Sequence, residues 1–212
     1  MTRNLAQAAA EAAGCIRCGL ANGRTQVVFG VGNSGAELMF IGEAPGFHED
    51  RQGEPFVGAA GQLLTRMLSE IGLAREDVYI ANILKCRPPG NRDPLPEEIE
   101  ACTPWLVEQI TLIQPRVIVT LGNFATKFVL ETPRGITSTR GHTYDWHGRT
   151  VIPTFHPAAI LHGGGEKSRQ FQDLREDFAL IRSTLDAPVV VPEAEPSVEG
   201  AVEPGDEQLE LF

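Results

Sequence analysis

The stretch LMFIGEAPG, residues 38–46, holds the pattern on which the predicted fold depends. Four consecutive apolar residues followed by a glycine are typical of a strand buried on both faces. The glycine- and proline-rich segment after them lets backbone N–H groups approach a ligand closely. We therefore predict a buried strand over Leu38–Gly42 that delivers the loop Gly42–Gly46 to a binding site.

Predicted strands and helices alternate along the rest of the chain. Further strands are predicted over Val78–Ala81, Val117–Leu121 and Val151–Phe155. Apolar residues at helical spacing and helix-start signals predict helices over Ala59–Ile71, Pro96–Ile113, Ala125–Leu130 and Ser168–Leu185. Such alternation with short connections indicates an α/β fold, a three-layer α/β/α sandwich with a central, mostly parallel four-stranded sheet.

Three polar or glycine-rich segments begin where predicted strands end. They are Gly42–Glu49, Asn82–Arg92 and His156–Leu161. In open parallel sheets, ligands bind outside the carboxyl ends of the strands. The three segments therefore predict one site at one rim of the sheet.

The chain has four cysteines, Cys15, Cys18, Cys86 and Cys102, and their arrangement predicts a single metal site. The first two form a C-x-x-C pair. Cys86 follows a predicted strand, and Cys102 lies on a predicted helix. The N-terminus lacks the basic start and apolar run of a signal peptide, so we do not expect export. Without export, the cysteines are expected to be metal ligands and not disulfides. Four thiolates suit either zinc or an iron–sulfur cluster.

Composition predicts one globular domain followed by an acidic tail. The 212 residues are 42% hydrophobic and 22% charged, with a net charge of −10. Eight acidic residues and no Lys or Arg lie in 186–212, so residues 1–185 are nearly neutral and can still carry a basic DNA-binding face. We expect a domain over 1–185 and a disordered tail over 186–212. No stretch is long and apolar enough for a membrane helix.

The tail ends in Gln208-Leu209-Glu210-Leu211-Phe212, an apolar tip on an acidic, proline-rich linker. This tip is similar to the short peptides with which bacterial repair and replication proteins bind the sliding clamp. The resemblance implies a clamp-binding peptide formed by Gln208, Leu209, Leu211 and Phe212. The alternative is a hydrophobic end without a partner.

Taken together, the motifs resemble those of the uracil-DNA glycosylase superfamily, and specifically its family 4, the iron–sulfur members. The segments that carry the resemblance are GEAPG at 42–46, FVG at 56–58, NILKCRPP at 82–89, NR at 91–92 and TFHPA at 154–158. They occur in order with the four cysteines between them, from about Cys15 to Leu185. The resemblance implies a 4Fe–4S cluster on these cysteines, with zinc as the alternative.

The resemblance also implies an activity, a monofunctional glycosylase that hydrolyses the bond between uracil and deoxyribose in base excision repair. Phe56 would stack on the everted base, and Asn82 would read its edge and exclude cytosine. His156 would face the 2-carbonyl and stabilise developing negative charge. Gly42 and Ala44 would approach the base through the backbone.

The residue that positions water stays open between Glu43, Glu49 and Asn91. Other branches of the superfamily have an Asp directly before the motif's proline, whereas this chain has Ala44. The water-activating role therefore cannot be transferred directly. Electrostatic stabilisation by His156 could carry most of a dissociative reaction.

Uracil-containing DNA, double- or single-stranded, is the expected partner. The candidate phosphate contacts are Arg87, Arg92, Arg140, Lys167 and Arg169, and Ile160 or Leu161 would fill the vacated stack. We expect a monomer in the cytoplasm, associated with the nucleoid. Two rival hypotheses are an iron–sulfur redox carrier or sensor and a non-catalytic, clamp-associated DNA-binding module.

Overall fold

The structure is a computed structural model, and it describes residues 3–188. Residues 189–212 lie outside the described residues, and with them the predicted clamp-binding peptide and most of the predicted tail. The six strands are β1 Val31–Gly32, β2 Leu38–Gly42, β3 Tyr79–Asn82, β4 Val117–Leu121, β5 Tyr144–Trp146 and β6 Arg149–Thr154. The helices are α1 Leu5–Ala13, α2 Phe47–Gln52, α3 Ala59–Glu70, α4 Pro96–Ile113, α5 Gly122–Leu130, α6 Ile136–Thr139, α7 Pro157–His162 and α8 Arg169–Asp186.

The strands form one sheet in the order β1-β3-β2-β4-β6-β5. The four central strands are parallel to one another, while β1 and β5 pair antiparallel at the two edges. The α/β class and the four predicted parallel strands are therefore confirmed. The two edge strands were not predicted, because runs of two and three partly exposed residues give no period-2 pattern.

Strand β2 shows how the sheet separates two apolar layers. Met39 and Ile41 face a cluster that includes Trp105 of α4, whereas Phe40 faces α3 and α8. On that second face the rings of Phe40 and Phe178 stack at 5.9 Å. Because successive side chains on a strand point to opposite faces, a strand buried on both sides needs helices on both sides. This arrangement is the predicted three-layer sandwich.

Short helices complete the fold at places where the sequence pattern predicted loops or gave no element. Helix α1 is capped by Asn4, whose side chain accepts from the Gln7 N–H in a capping box. Helix α7 has Pro157 at its first position. Within α7, Ile160 is fully buried in the core. The expectation that Ile160 inserts into DNA is therefore wrong, and Leu161, which is exposed, is the remaining candidate.

A buried ion pair anchors the end of β6 to α8. Asp177 is fully buried and accepts from Arg140 Nη2 at 2.6 Å and Nε at 3.0 Å. Thr154, the last residue of β6, donates its hydroxyl to the same carboxylate at 2.6 Å. Burial raises the pKa of Asp177, and the bonds from Arg140 and Thr154 oppose that rise. Arg140 therefore serves the interior and is not free for the DNA contact that its charge suggested.

No helix within residues 3–188 is long and apolar enough to cross a membrane.

We expect Asp177→Ala to lower the free energy of unfolding by about 3–5 kcal/mol, because it leaves Arg140 with an uncompensated charge in the interior. Urea denaturation followed by circular dichroism measures the loss. The matched control is Asp186→Ala, which removes an exposed carboxylate from the Arg182 pair and should lower the free energy of unfolding far less. Equal losses for the two variants would contradict the role assigned to the buried pair.

Candidate active site

A cavity of about 410 Å³ opens at the carboxyl ends of the central strands. That volume lies within the range of small-molecule sites. All three predicted strand-end segments contribute to it. Its lining comprises Glu43, Ala44, Pro45, Gly46, Glu49, Phe56, Ala60, Asn82, Pro88, Asn91, Arg92, His156, Ala158 and His162.

Asn82 places an unpaired polar atom in this cavity. It ends β3 directly beside Gly42 of β2, and it is buried. Its Oδ1 atom is buried and has no hydrogen-bond partner in the protein. Because buried acceptors without partners are costly, such an atom indicates that a ligand supplies the missing donor.

Gly42 lies under both Asn82 and Phe56. A Cβ atom at position 42 would collide with Asn82 Oδ1 and lie 2.7 Å from Phe56 Cζ. Only glycine therefore lets the two side chains approach the strand end together. This residue contributes by its lack of a side chain and does not itself line the cavity.

Phe56 and His156 pack against each other in the lining of the cavity. Their ring centroids are 5.5 Å apart, with an interplanar angle of 32°. The backbone of Phe56 is held at φ 54°, a left-handed conformation that is strained for an aromatic residue. Directly below, Gly61 of α3 leaves room for the Phe56 backbone, with which any Cβ would collide. The fold thus accepts local strain to aim this ring.

The environment of His156 fixes both its charge and its tautomer. Burial lowers the pKa of His156 to about 4, although the nearby Glu49 carboxylate opposes this shift. The ring is therefore neutral at physiological pH. Its Nδ1 accepts from the Ala158 N–H at 3.2 Å. A neutral ring that accepts at Nδ1 carries its proton on Nε2, which is then free to donate.

The two acidic residues of the cavity differ in their surroundings. Burial, with a contribution from Asp93, raises the pKa of Glu43 to about 7. Glu49 Oε1 accepts from the backbone N–H groups of Val57 and Gly58, each at 2.9 Å. Glu49 thus ties α2 to the loop after Phe56, whereas Glu43 has a protonation state that changes near neutral pH.

Asn91 and His162 lie at the opening of the cavity. Asn91 is exposed, and its Oδ1 accepts from Arg87 Nε at 2.7 Å. His162 ends α7, is exposed and lines the cavity at its opening. Pro157 at the first position of α7 was the signal that could have predicted the helix carrying His162.

The other predicted DNA contacts lie outside the cavity. Lys167 and Arg169 flank the start of α8 and are exposed, and Arg169 pairs with Asp173 at 2.8 Å. Leu161 is 43% exposed on α7, next to the cavity-lining His162. The structure thus groups Phe56, Asn82, His156 and both glutamates around one cavity, with Asn91 at its opening.

The four cysteines line a second, smaller cavity that Trp105, Arg24 and Lys85 help to enclose. None is in a disulfide. Three N–H groups point at their sulfurs: Trp105 Nε1 to Cys15 at 3.4 Å, Lys85 N to Cys102 at 3.2 Å and Arg24 Nη1 to Cys86 at 3.6 Å. Donors aimed at sulfur stabilise metal-bound thiolates, so this donor set fits a thiolate-ligated group. Within residues 3–188, no three His, Cys, Asp or Glu side chains are close enough to hold a single ion.

Lys85 connects the two cavities. Its side chain is buried, and Nζ donates to the Asn82 carbonyl at 2.7 Å and to Gln109 Oε1 at 2.5 Å. Gln109 lies on α4, the helix that also carries Cys102. Burial lowers the pKa of Lys85 to about 7. The carbonyl that ends β3 is thereby tied to the helix behind the cysteines.

Comparison with known proteins agrees with this arrangement. The family model described as the uracil DNA glycosylase superfamily matches residues 29–179. The type-4 uracil-DNA glycosylase of Sulfurisphaera tokodaii is 47% identical, with 84% of this chain and 83% of the relative covered. The type-4 uracil-DNA glycosylase of Archaeoglobus fulgidus is 53% identical, with 72% of this chain and 80% of the relative covered. That of Thermotoga maritima is 49% identical, with 81% of this chain and 89% of the relative covered. The chain belongs to the uracil DNA glycosylase superfamily.

Proposed function

We propose that this chain is a DNA repair glycosylase that hydrolyses the N-glycosidic bond of deoxyuridine in DNA, releasing uracil and leaving an abasic site. The observation that carries the proposal is the unpaired, buried Asn82 Oδ1 beside the Phe56 ring. An aromatic face together with an unsatisfied amide is what an everted pyrimidine requires. The type-4 uracil-DNA glycosylases among the relatives support the same activity.

Base recognition follows from Phe56 and Asn82. The glycosidic bond is inaccessible inside a duplex, so the nucleotide must leave the stack and enter the pocket. The Phe56 ring offers a stacking face, an interaction worth about 1–3 kcal/mol. Asn82 Oδ1 accepts from the uracil N3–H, and Asn82 Nδ2 donates to the 4-carbonyl. Cytosine has an acceptor at N3 and a donor amino group at C4, the reverse of uracil. It would therefore leave both polar atoms of the buried Asn82 amide unpaired.

His156 stabilises the leaving group. As the bond between C1′ and N1 breaks, its electron pair moves onto uracil and places negative charge on the 2-carbonyl oxygen. The Nε2–H of neutral His156 is the donor aimed at that oxygen. Removing one donor of this kind typically costs about 10²–10³ in rate. Because the ring is already neutral, the donor needs no protonation at physiological pH.

We assign water positioning to Glu43. The Glu49 carboxylate is engaged with two backbone N–H groups and so positions the Phe56 loop, while Asn91 is exposed and bonded to Arg87. Glu43 alone combines burial with a pKa of about 7. As a carboxylate it would orient the water whose oxygen bonds to C1′ and would offset positive charge on the sugar.

The four cysteines would hold a 4Fe–4S cluster rather than zinc. The support for the cluster is the resemblance to family 4, since four thiolates would by residue type also suit zinc. When bound, the cluster would cross-link the N-terminal segment to the β3 loop and α4. About four iron atoms per chain with a visible absorption band would support this assignment, whereas one zinc per chain would contradict it.

The assay that tests the function uses purified full-length protein with matched oligonucleotides that contain uracil, thymine or cytosine, single-stranded or in a duplex. Alkali cleaves the DNA wherever a base has been released. We expect breaks at uracil only, and a large loss of breaks for His156→Ala. Binding without breaks would favour the clamp-associated module, and neither binding nor breaks would leave the redox carrier.

Gel filtration tests the expected monomer, and cell fractionation tests the nucleoid-associated location.

The unpaired amide predicts how Asn82 controls specificity. In Asn82→Asp a carboxylate cannot donate to the uracil 4-carbonyl but accepts from the cytosine amino group. We expect the ratio of kcat/KM for uracil over cytosine to fall by about 100-fold or more. Asn33→Asp, on an exposed loop, is the matched control. An unchanged ratio would remove Asn82 from base reading.

The close packing over Gly42 predicts a strong effect of one methyl group. Gly42→Ala should displace both Asn82 and the Phe56 ring and slow uracil excision by about 100-fold, since small misplacements in a site cost that much. Gly35→Ala, whose added Cβ meets only Asn33 Oδ1 at 3.7 Å, should be neutral. Single-turnover rates measure both variants. Wild-type excision by Gly42→Ala would refute the packing argument.

The raised pKa of Glu43 predicts a pH dependence. Above about pH 7 the group is the carboxylate that the mechanism needs, and below that pH it is protonated. The single-turnover rate should therefore rise about tenfold between pH 6 and pH 8. Glu43→Gln should be roughly 100-fold slower and lose this rise, whereas Glu54→Gln should keep it. A rise that persists in Glu43→Gln would assign the titration to another group.

We further propose that residues 208–212 bind the bacterial sliding clamp. The support is the sequence alone, an apolar tip on an acidic linker, where tethering would raise the local concentration of enzyme on DNA. Deleting 208–212 should abolish clamp binding in a pull-down and leave oligonucleotide cleavage intact. Clamp binding by the truncated chain would refute this proposal.

A further inference from the structure

An exposed aromatic ring with two arginines lies beside the pocket. Phe47 begins α2 and is 46% exposed. The guanidinium carbons of Arg51 and Arg87 lie 5.5 and 5.1 Å from the centre of its ring. We call Phe47, Arg51 and Arg87 the Phe47 platform. The Phe47 ring is partly exposed, and two positive charges lie over it.

The Phe47 platform borders the proposed uracil site. Gly46, which precedes Phe47, lines the pocket, and so does Glu49 on the same short helix. On the other side, Arg87 donates to Asn91, which also lines the pocket. The platform therefore lies where α2 meets the loop after β3, at the rim over which a bound DNA strand would pass.

The charges of the platform are not neutralised within the protein. Within residues 3–188, neither Arg51 nor Arg87 forms a salt bridge. By contrast, Arg92 at the same rim is paired with Glu98 at 2.5 Å, and Arg169 with Asp173. Two guanidinium groups without a salt-bridge partner at this rim indicate an anionic partner.

We propose that the Phe47 platform is a subsite for the nucleotide adjacent to the everted uridine. The neighbouring base packs on the exposed part of the Phe47 ring, and Arg51 and Arg87 contact the phosphates on either side. This inference rests on the proposed function, because it needs a uridine in the pocket. It adds a contact that would favour single-stranded substrate, in which the neighbouring base has no pairing partner.

Physical chemistry favours a nucleotide over an apolar protein partner. Aromatic rings next to basic side chains are the usual platform for single-stranded DNA, because every base offers a π face and every nucleotide a phosphate. Eversion of the uridine unstacks its neighbour, so a replacement surface within one nucleotide of the pocket recovers part of the cost. The single exposed ring is small for a protein interface but matches one base.

The test uses a single-stranded oligonucleotide with a tetrahydrofuran abasic analogue, flanked on one side by the fluorescent base 2-aminopurine. The analogue cannot be cleaved, so binding is measured without chemistry. We expect the wild-type protein to change the 2-aminopurine emission with the label on one particular side of the analogue, and Phe47→Ala to remove that change. Phe47→Ala should also weaken binding by roughly five- to hundredfold, the loss expected for one stacked base. Phe47→Trp should keep both the change in emission and the wild-type affinity.

Charge variants test whether Arg51 and Arg87 contact the phosphates on either side of the neighbouring base. Arg51→Gln and Arg87→Gln should each lower the slope of log Kd against log salt by about 0.7, the value for one phosphate contact on a single strand. Val107→Ala, an exposed apolar residue of α4, is the control for Phe47. Arg149→Gln is the charge control, because Arg149 begins β6 and so lies at the amino ends of the parallel strands, away from the pocket at their carboxyl ends.

Wild-type emission and affinity in Phe47→Ala would overturn the proposal, as would a salt slope unchanged in both arginine variants. The uracil assay separates this failure from that of the proposed function. If wild-type protein excises uracil while Phe47→Ala binds normally, only the subsite is refuted. If wild-type protein excises nothing, the proposed function fails first.

Discussion

The structure depends on how the chain is held as it leaves β3. Asn82 ends the strand, and the next two residues bond back to the β2 end through Ile83 N to Gly42 O at 2.9 Å and Leu84 N to Glu43 O at 3.0 Å. On the other side, buried Lys85 satisfies the Asn82 carbonyl and Gln109. One short segment is thus fixed from both faces. An ammonium group in the interior is costly unless it is hydrogen-bonded, which explains why its partners are so well placed.

This constraint joins the two halves of the proposed enzyme. The same segment carries Asn82 into the pocket and Cys86 into the cysteine cavity, and the Lys85 N–H bonds to the Cys102 sulfur. Asp50 of α2 accepts from Thr25 N at 2.9 Å, so the helix that carries Glu49 is also tied to the segment after the C-x-x-C pair. A group bound by the four thiols would therefore stiffen the pocket without touching substrate. That is a physical reason for a glycosylase to hold a metal group away from its chemistry.

Much of the fold followed from local patterns. The bounds of β2, β4 and α4 agree with the prediction to the residue, because long apolar runs and a proline at a helix start are strong signals. The short edge strands had no such signal, and the six-residue helix α7 had only Pro157 at its first position. A loop after His156 would leave Ile160 free to enter DNA, whereas the helix α7 turns this side chain into the core. Likewise, the charge of Arg140 suggested a surface contact, while Asp177, 37 residues away, draws it inside.

The α/β class, the rim at which the motifs meet and the family to which the chain belongs can all be read from the amino-acid sequence, because strand periodicity and the order of the motifs are visible along the chain. The tertiary structure alone decided the states of the side chains. Burial makes His156 neutral and raises the pKa of Glu43 to about 7, and the Ala158 N–H selects the tautomer of the histidine. It also separated Glu49, engaged with backbone N–H groups, from Glu43. These properties depend on neighbours distant in the chain, so no local pattern encodes them.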